Sequence, residues 1–283
     1  MRPVLVWGRH GLLAEALRRN LQHHWPIHFW GRGELPTSKQ EMLRKIQILR
    51  PAAVINASGF TQLMRAQESP CLSWELHVEI PAYLAACSRN LAVPFLTLST
   101  DYVFSGEGKS SWNESDPTTP INAYGKSKLM GERAVMAQYP RAKIVRTAGL
   151  FGPAPAGSKV SFPERIIQQA RAGNIPVVRS DLTTSICHVD DLVADLWQIL
   201  WNTSAGVFHV VHAGSATWLQ IAECALKSAG LPTRVLGTLN SDFPRPPCSA
   251  LTTLRAETQA GRATRKTWQE SLSGFIRGFS HHA

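Results

Sequence analysis

Through the first 150 residues, short unbroken apolar runs alternate with longer stretches in which apolar positions return every three or four residues. The runs PVLVWG (Pro3–Gly8), IHFWG (Ile27–Gly31), AAVINAS (Ala53–Ser58), VPFLTLST (Val93–Thr100) and AKIVRTAG (Ala142–Gly149) are of the first kind. Their length and their β-branched and aromatic content predict buried strands. LLAEALRRNLQ (Leu12–Gln22), SKQEMLRKIQILR, SWELHVEIPAYLAACSRN, the segment from Tyr124 to about Met136 and FPERIIQQARAG are of the second kind, and predict helices with one apolar face. Strand and helix in regular turn imply right-handed crossovers, and so an α/β fold with a Rossmann-like, doubly wound parallel sheet.

The rhythm changes after Gly152. GPAPAGSK is rich in proline and glycine, and beyond it strands are sparse and prolines frequent. The predicted division is a sheet domain over residues 1–152 and a smaller C-terminal lobe over 153–283. HVDDLVADLWQILW (His188–Trp201), helical and acidic at its start, is expected to pack back on the first domain.

The first strand ends in Gly8-Arg9-His10-Gly11-Leu12-Leu13-Ala14, a G-x-x-G-x-x-A turn that opens the first helix. Glycines allow a tight turn and close backbone approach, and a helix N-terminus presents unpaired N–H groups to a pyrophosphate. The turn predicts dinucleotide binding through Gly8, Arg9, His10, Gly11, Leu12 and Leu13, so the first domain is the cofactor domain and the second the mainly substrate-binding lobe. After the second strand, where an acidic residue would bond a ribose 2′-hydroxyl, the chain reads FWGRGE. Arg32, with Arg9 or His10, matches a 2′-phosphate, which favours NADP(H) over NAD(H); Glu34 keeps NAD open.

Tyr124 and Lys128 stand four apart and share a helix face. Tyrosine, with an ordinary pKa near 10, is a poor proton donor unless its surroundings shift it; an ammonium on the same face lowers its pKa and reaches a cofactor hydroxyl. Ser99 or Thr100, at the end of the preceding strand, would complete a pocket around a carbonyl oxygen. Such a site could reduce a ketone.

Composition narrows the partners. The 283 residues are 44% hydrophobic and carry a formal charge of +10, yet the basic residues are dispersed and form no stripe with aromatics. This argues against nucleic acid and suits an anionic nucleotide ligand. Apolar stretches fall short of a membrane span, and the opening MRPVLVWGRHG meets a glycine turn before a signal-peptide core could form. Cys71, Cys87, Cys187, Cys224 and Cys248 are scattered, suggesting neither a disulfide framework nor a metal site. The expectation is a cytoplasmic protein, touching neither membrane nor nucleic acid, with a homodimer left open.

The stretch STDYVFSGEGKSSWNESDPTTPINAYGKSKLMGE resembles the signature of the dTDP-4-dehydrorhamnose reductases, extended short-chain dehydrogenase/reductases. VINASGFT (Val54–Thr61) is similar to their V-I-N-A-A-A-x-T, and RPPCSAL (Arg245–Leu251) to their R-P-x-x-S-x-L. The resemblance implies Tyr124 as general acid, Lys128 as its electrostatic and ribose-binding partner, and Thr100 as the hydroxyl that orients the carbonyl. It implies cofactor contacts at Ala57, Ser58 and Gly59, and substrate contacts at Thr100, Asp101, Val103, Phe104 and Arg245, the last toward a diphosphate. The substrate implied is a nucleotide-linked 4-keto-6-deoxy sugar, reduced at C4.

Four departures qualify it. Leu63-Met64-Arg65-Ala66-Gln67 replaces V-D-x-A-E; His77 stands where the family has Asn before a Pro; RTAGLFG replaces R-T-S-W-V-Y-G, leaving Gly149 in the tryptophan's place; and SDLTTSICHVDDL is closer to sugar epimerases. They point to a changed sugar pocket and a changed support for Lys128. They also leave open a relative acting on another nucleotide-linked keto sugar, or a non-catalytic dinucleotide-binding regulator resembling the regulatory subunit of methionine adenosyltransferase.

Overall fold

A computed structural model describes residues 1–31, 33, 39–59, 63–155, 160–202, 204–239, 243–255 and 266–280. The predicted strands form β1 (Val4–Trp7), β2 (Ile27–Trp30), β3 (Ala53–Asn56), β4 (Phe95–Thr100) and β5 (Lys143–Thr147). The helices between them are α1 (Leu12–Leu21), α2 (Lys39–Leu49), α3 (Leu63–Glu68), α4 (Pro70–Trp74), α5 (Ile80–Asn90) and α6 (Ala123–Gln138). A π-helical turn, Glu75–Glu79, joins α4 to α5. Then follow β6 (Gly149–Phe151), α7 (Phe162–Arg171), β7 (Val177–Arg179), β8 (Thr183–Thr184), β9 (Ile186–His188), α8 (Val189–Asn202), β10 (Gly206–His209), β11 (Ala216–Thr217), α9 (Trp218–Ser228), β12 (Leu236–Thr238) and α10 (Trp268–Ser280).

Six parallel strands make the central sheet, in the order β10-β5-β4-β3-β1-β2. Both faces are covered. On one, Leu13, Ala16 and Leu17 of α1 and Leu192, Val193, Leu196 and Ile199 of α8 bury Val4, Val6 and Ile55. On the other, Met42 and Ile46 of α2, Leu84 and Ala85 of α5 and Val135 of α6 bury Leu5, Trp7, Val54 and Phe95. The sheet therefore takes a strand and a covering helix from beyond Gly152. GVFH follows no helical rhythm and is too short to stand out in the sequence, but pairing Gly206–His209 with Lys143–Arg146 completes the edge beside β5.

The chain leaves β1 toward β2 and returns across it to β3, so the crossovers reverse between β1 and β3. Ligands of open parallel sheets bind outside the C-terminal strand ends at such a reversal. A separate core of Phe151, Ile167, Ile186, Ile221, Ala225, Trp268 and Leu272 holds α7, α9 and α10 together.

Candidate active site

The site grows from the start of α6. Asn122 caps this helix, its side-chain oxygen accepting from Gly125 N at 2.8 Å, while its amide donates to Pro244 O at 3.0 Å. One residue thus starts the helix carrying Tyr124 and Lys128 and tethers the segment carrying Arg245. Gly125 has to be glycine: a Cβ there would lie 2.0 Å from Tyr102 O. The helix start is pressed against the 3-10 turn Asp101–Val103 that follows β4. This contact brings the Tyr124 hydroxyl close to that of Thr100, whose influence on the phenol favours its ionised form.

Thr100 is fully engaged. Its hydroxyl donates to Asp101 Oδ1 at 2.9 Å and accepts from Tyr102 N at 3.2 Å, besides meeting Tyr124. Asp101 is 4% exposed. Its other oxygen accepts from Thr184 Oγ1 at 3.5 Å, and the Ser249 hydroxyl, which donates to Thr184 Oγ1 at 3.3 Å, also acts on the carboxylate. Burial outweighs these hydroxyl bonds and pushes the Asp101 pKa up to about 6. The carboxylate expected to face a sugar is instead turned into the protein, tying β8 and the 249 segment to the end of β4.

Lys128 is buried and donates to Leu98 O at 3.2 Å. Desolvation lowers its pKa to about 8, against a raising effect from the Glu132 carboxylate. Spacing alone predicts that this ammonium depresses the Tyr124 pKa. The reverse is found: burial raises it above the usual tyrosine value, and the negative charge of Asp101 raises it further. Tyr124 is therefore a firmly protonated phenol, the form a proton donor needs before reaction.

His77 stands edge-on to the Tyr124 ring, centroids 5.5 Å apart, and its Nδ1 lies 2.8 Å from Ser127 Oγ. Burial, then the Lys128 charge, lowers its pKa to about 2, so it is neutral. The helix distortion that a residue other than Asn put in question is present as the π turn. Gly131 of α6 packs there so closely that a Cβ would come within 1.9 Å of His77 O.

At the C-terminal end of β1, Gly8 adopts φ +119°, and a Cβ would lie 2.8 Å from Ser58 N and 2.9 Å from the Ala57 carbonyl carbon. Gly11, at φ +104°, is the N-cap of α1 without a side-chain capping bond; no atom lies within 4 Å of where its Cβ would be. A bare helix N-terminus above a glycine turn fits a dinucleotide pyrophosphate. Arg9 and His10 are exposed beside it and Leu12 is half-buried, but the Leu13 side chain lies in the core and leaves only its backbone to a ligand. Ser58 is held by Asn56 Oδ1 at 2.7 Å, and Gly59 abuts Lys128 Nζ, 3.4 Å from where a Cβ would stand. The turn and the Ala57–Gly59 loop thus lead from the α1 terminus to Lys128. Arg32 and Glu34 lie outside the described residues.

On the far side of Tyr124, the Tyr102 ring stands edge-on at 5.9 Å, and Arg245 Nη1 donates to Tyr102 OH at 3.3 Å. Arg245 thus lies one aromatic ring beyond the phenol. Val103 and Phe104 do not join it with their side chains. Both are fully buried, backbone included, with Phe104 stacked on Trp112 at 4.9 Å and under the Arg146 guanidinium. Gly149 is half-buried, and the place of its missing side chain is filled: Trp218 Cη2 lies 3.0 Å from the Cβ position.

Comparison with known proteins fixes the family. The model of the RmlD substrate binding domain matches residues 1–280. The chain belongs to that family. It is 32% identical over 250 residues, 86% of this chain and 81% of the relative, to a dTDP-4-dehydrorhamnose reductase of Streptomyces griseus. It is 28% identical over 283 residues, 98% of both chains, to the spore coat polysaccharide biosynthesis protein SpsK of Bacillus subtilis. The crystal structure of dTDP-4-dehydrorhamnose reductase from Bacillus anthracis in complex with NADP superposes with a TM-score of 0.90 over 98% of this chain and 99% of that one, at 24% identity, a likeness of fold. Within the RmlD family the chain is a nicotinamide-dependent oxidoreductase, and its relatives support a sugar-nucleotide reductase. Among the described residues, no helix is long and apolar enough to cross a membrane.

Sequence reasoning passed over Asn122, Thr184 and Ser249. Asn122 carried a signal, an N-cap residue type two positions before the predicted helix start at Tyr124. Thr184 and Ser249 lay within segments compared with the family, but nothing local indicates that both reach Asp101 across more than 80 residues of chain.

Proposed function

We propose that this protein reduces the C4 carbonyl of a nucleotide-linked 4-keto-6-deoxy sugar, with dTDP-4-dehydrorhamnose as the substrate and NADPH as the hydride source. The observation that carries this reading is Tyr124 beside Thr100, with Lys128 buried one helical turn along, next to the loop that leads from the glycine turn. The reduced nicotinamide supplies a hydride to the carbonyl carbon when bound. Tyr124 gives its proton to the carbonyl oxygen, Lys128 holds the ribose and offers positive charge to the phenolate left behind, and Thr100 fixes the Tyr124 hydroxyl. Arg245, one ring further out, is placed for the diphosphate. Gly8, Gly11 and the Ala57–Gly59 loop line the dinucleotide groove, and Arg32 is the residue assigned to the 2′-phosphate.

A second reading, another nucleotide-linked keto sugar, is favoured by one observation. The ring filling the space at Gly149 comes from α9, and so stands on a different element than a side chain at position 149 would.

The experiment is oxidation of NADPH, and of NADH in parallel, by purified protein with dTDP-4-dehydrorhamnose formed in place. Turnover is expected, with Tyr124→Phe reducing it by about 10²–10⁴-fold while NADPH affinity is retained. Comparable turnover in Tyr124→Phe removes the assignment of the acid. Turnover only with a different nucleotide-linked keto sugar selects the second reading.

A further inference from the structure

The mechanism above uses the Tyr124 proton once and leaves a phenolate in a buried site. What can return that proton is decided by the groups around Thr100. In the fold described here Thr100 gives its single hydrogen to the Asp101 carboxylate at 2.9 Å, and the Tyr124 hydroxyl stands close to Thr100 on its other side, so that a chain of hydroxyls can run from Tyr124 to Asp101 when substrate is bound. A threonine hydroxyl has one proton to donate and two lone pairs to accept with. While Asp101 is ionised, Thr100 has no hydrogen for any other acceptor. When Asp101 is protonated the chain can reverse: Asp101 donates to Thr100, Thr100 to Tyr124, and the Tyr124 proton is released toward a substrate oxygen, with Tyr102 N still bonding Thr100.

We propose that Asp101 is a positioning and proton-supplying residue, which recharges Tyr124 through Thr100 during reduction. The inference rests on the reductase reading. The balance is simple. The carbonyl carbon gains a hydride and the carbonyl oxygen gains the Tyr124 proton. As that O–H bond breaks, the phenol oxygen takes the Thr100 hydrogen and Thr100 takes the Asp101 hydrogen. Asp101 ends as a carboxylate and is reprotonated from solvent between turnovers.

The surroundings of Asp101 are built for a change of charge and not for a fixed one. From β4 and its turn it meets Thr100, with Tyr102 beside it; from α6, Tyr124; from β8, Thr184; and from the segment that carries Arg245, Ser249. Besides its own backbone N–H, its partners are hydroxyls, which donate to a carboxylate and can turn to accept from a carboxylic acid. The guanidinium groups of Arg245 and Arg179 act on Tyr102, the former through its hydroxyl. Thr184 and Ser249 bond one another at 3.3 Å, so the far side of the carboxyl keeps its partners in either state. The raised Asp101 pKa, about 6, agrees with a group that gains and loses its proton under mild conditions.

Two measurements test this. The first follows the reduction in a single turnover from pH 5 to 8, with NADPH affinity measured for every variant. The wild-type rate is expected to fall as pH rises through about 6. Asp101→Asn is expected to be slower by about 10–100-fold and flat in that range, and Thr100→Val slower by a similar factor. The double variant should be no slower than either single one, because residues of one relay fail as a unit, and Thr100→Ser should recover most of the rate lost in Thr100→Val. An unchanged pH profile in Asp101→Asn, or losses that multiply in the double variant, overturns the relay.

The second measurement needs no substrate, and so separates failure of the relay from failure of the substrate assignment. Titration of the Asp101 carboxyl by ¹³C NMR should give a midpoint that moves by about half a pH unit or more in Thr100→Val and in Tyr124→Phe. A midpoint unmoved by both overturns the relay, whichever sugar the enzyme accepts.

Discussion

Two buried carboxylates flank the end of β4, and they are held in opposite ways. Glu132, 6% exposed, receives Arg146 in two bonds, at 2.9 Å from Nε and 2.6 Å from Nη2, together with the Ser99 hydroxyl. Asp101, 4% exposed, is met by hydroxyls. A guanidinium cannot give up its charge, so Glu132 faces a fixed cationic partner. Asp101 is acted on by hydroxyls and its own backbone N–H, with no cation among them, and its pKa rises to about 6. Equal burial thus yields one charge that anchors α6 to β5 and one that can be switched off. The difference identifies the working end of the helix more sharply than depth or polarity does.

The largest effect should come from breaking the anchor. Arg146→Met strands a buried carboxylate, and removing one partner of a buried pair costs about 3–5 kcal/mol. For a chain of this size that corresponds to a fall in Tm of roughly 10 °C, read by thermal unfolding. A fall of only a degree or two would mean that Glu132 does not depend on Arg146, and the contrast with Asp101 would dissolve.

The opposite sign is expected at the other carboxylate. The folded-state pKa of Asp101 is raised from 3.8 to about 6, so the folded protein disfavours its ionisation. No penalty exists below about pH 4; it grows between pH 4 and 6 and is constant above, at most about 3 kcal/mol by the free-energy equivalent of the shift. Asp101→Asn removes the ionisation. Urea unfolding should therefore show the variant more stable than wild type at pH 7.5 and equal to it near pH 4, although the variant is the slower enzyme. A stability difference that ignores pH would refute the buried charge as its source. A residue that costs stability where it stands is what a working group looks like in an otherwise consistent fold.

The sequence made one of these two carboxylates more visible than the other, for a physical reason. Strand and helix periodicity, the glycine turn and the i, i+4 spacing of Tyr124 and Lys128 are local patterns, and the elements they predict are found. Asp101 stood out by its place beside Thr100, but which way its carboxylate turns depends on Thr184 and Ser249, which arrive from distant segments. For the same reason Val103 and Phe104 read as pocket residues. Only Trp112, Arg146 and His209, brought together by the tertiary fold, show that Phe104 is core. The sign of the Tyr124 shift could not be read from spacing either, because spacing counts the lysine and is blind to burial and to Asp101.

Lys128 is tied to the Glu132 side of this comparison, and it supplies the smallest expected change. It shares a face of α6 with Tyr124 four residues before it and Glu132 four residues after it. Burial draws its pKa down to about 8, and Glu132 alone among the causes of the shift opposes that. The ammonium is therefore present at neutral pH and lost as pH rises through about 8. If its charge holds the ribose and stabilises the phenolate, kcat/KM, which reports the free enzyme, measured in an Asp101→Asn background where the fall through pH 6 is absent, should fall above that pH by up to tenfold per unit, about 1.4 kcal/mol. Lys128→Gln should show a lower plateau with no such limb. A limb that begins only above pH 9.5 would mean that Lys128 is not desolvated in the free enzyme. The anchor at Glu132 would then hold the helix without tuning the charge one turn away.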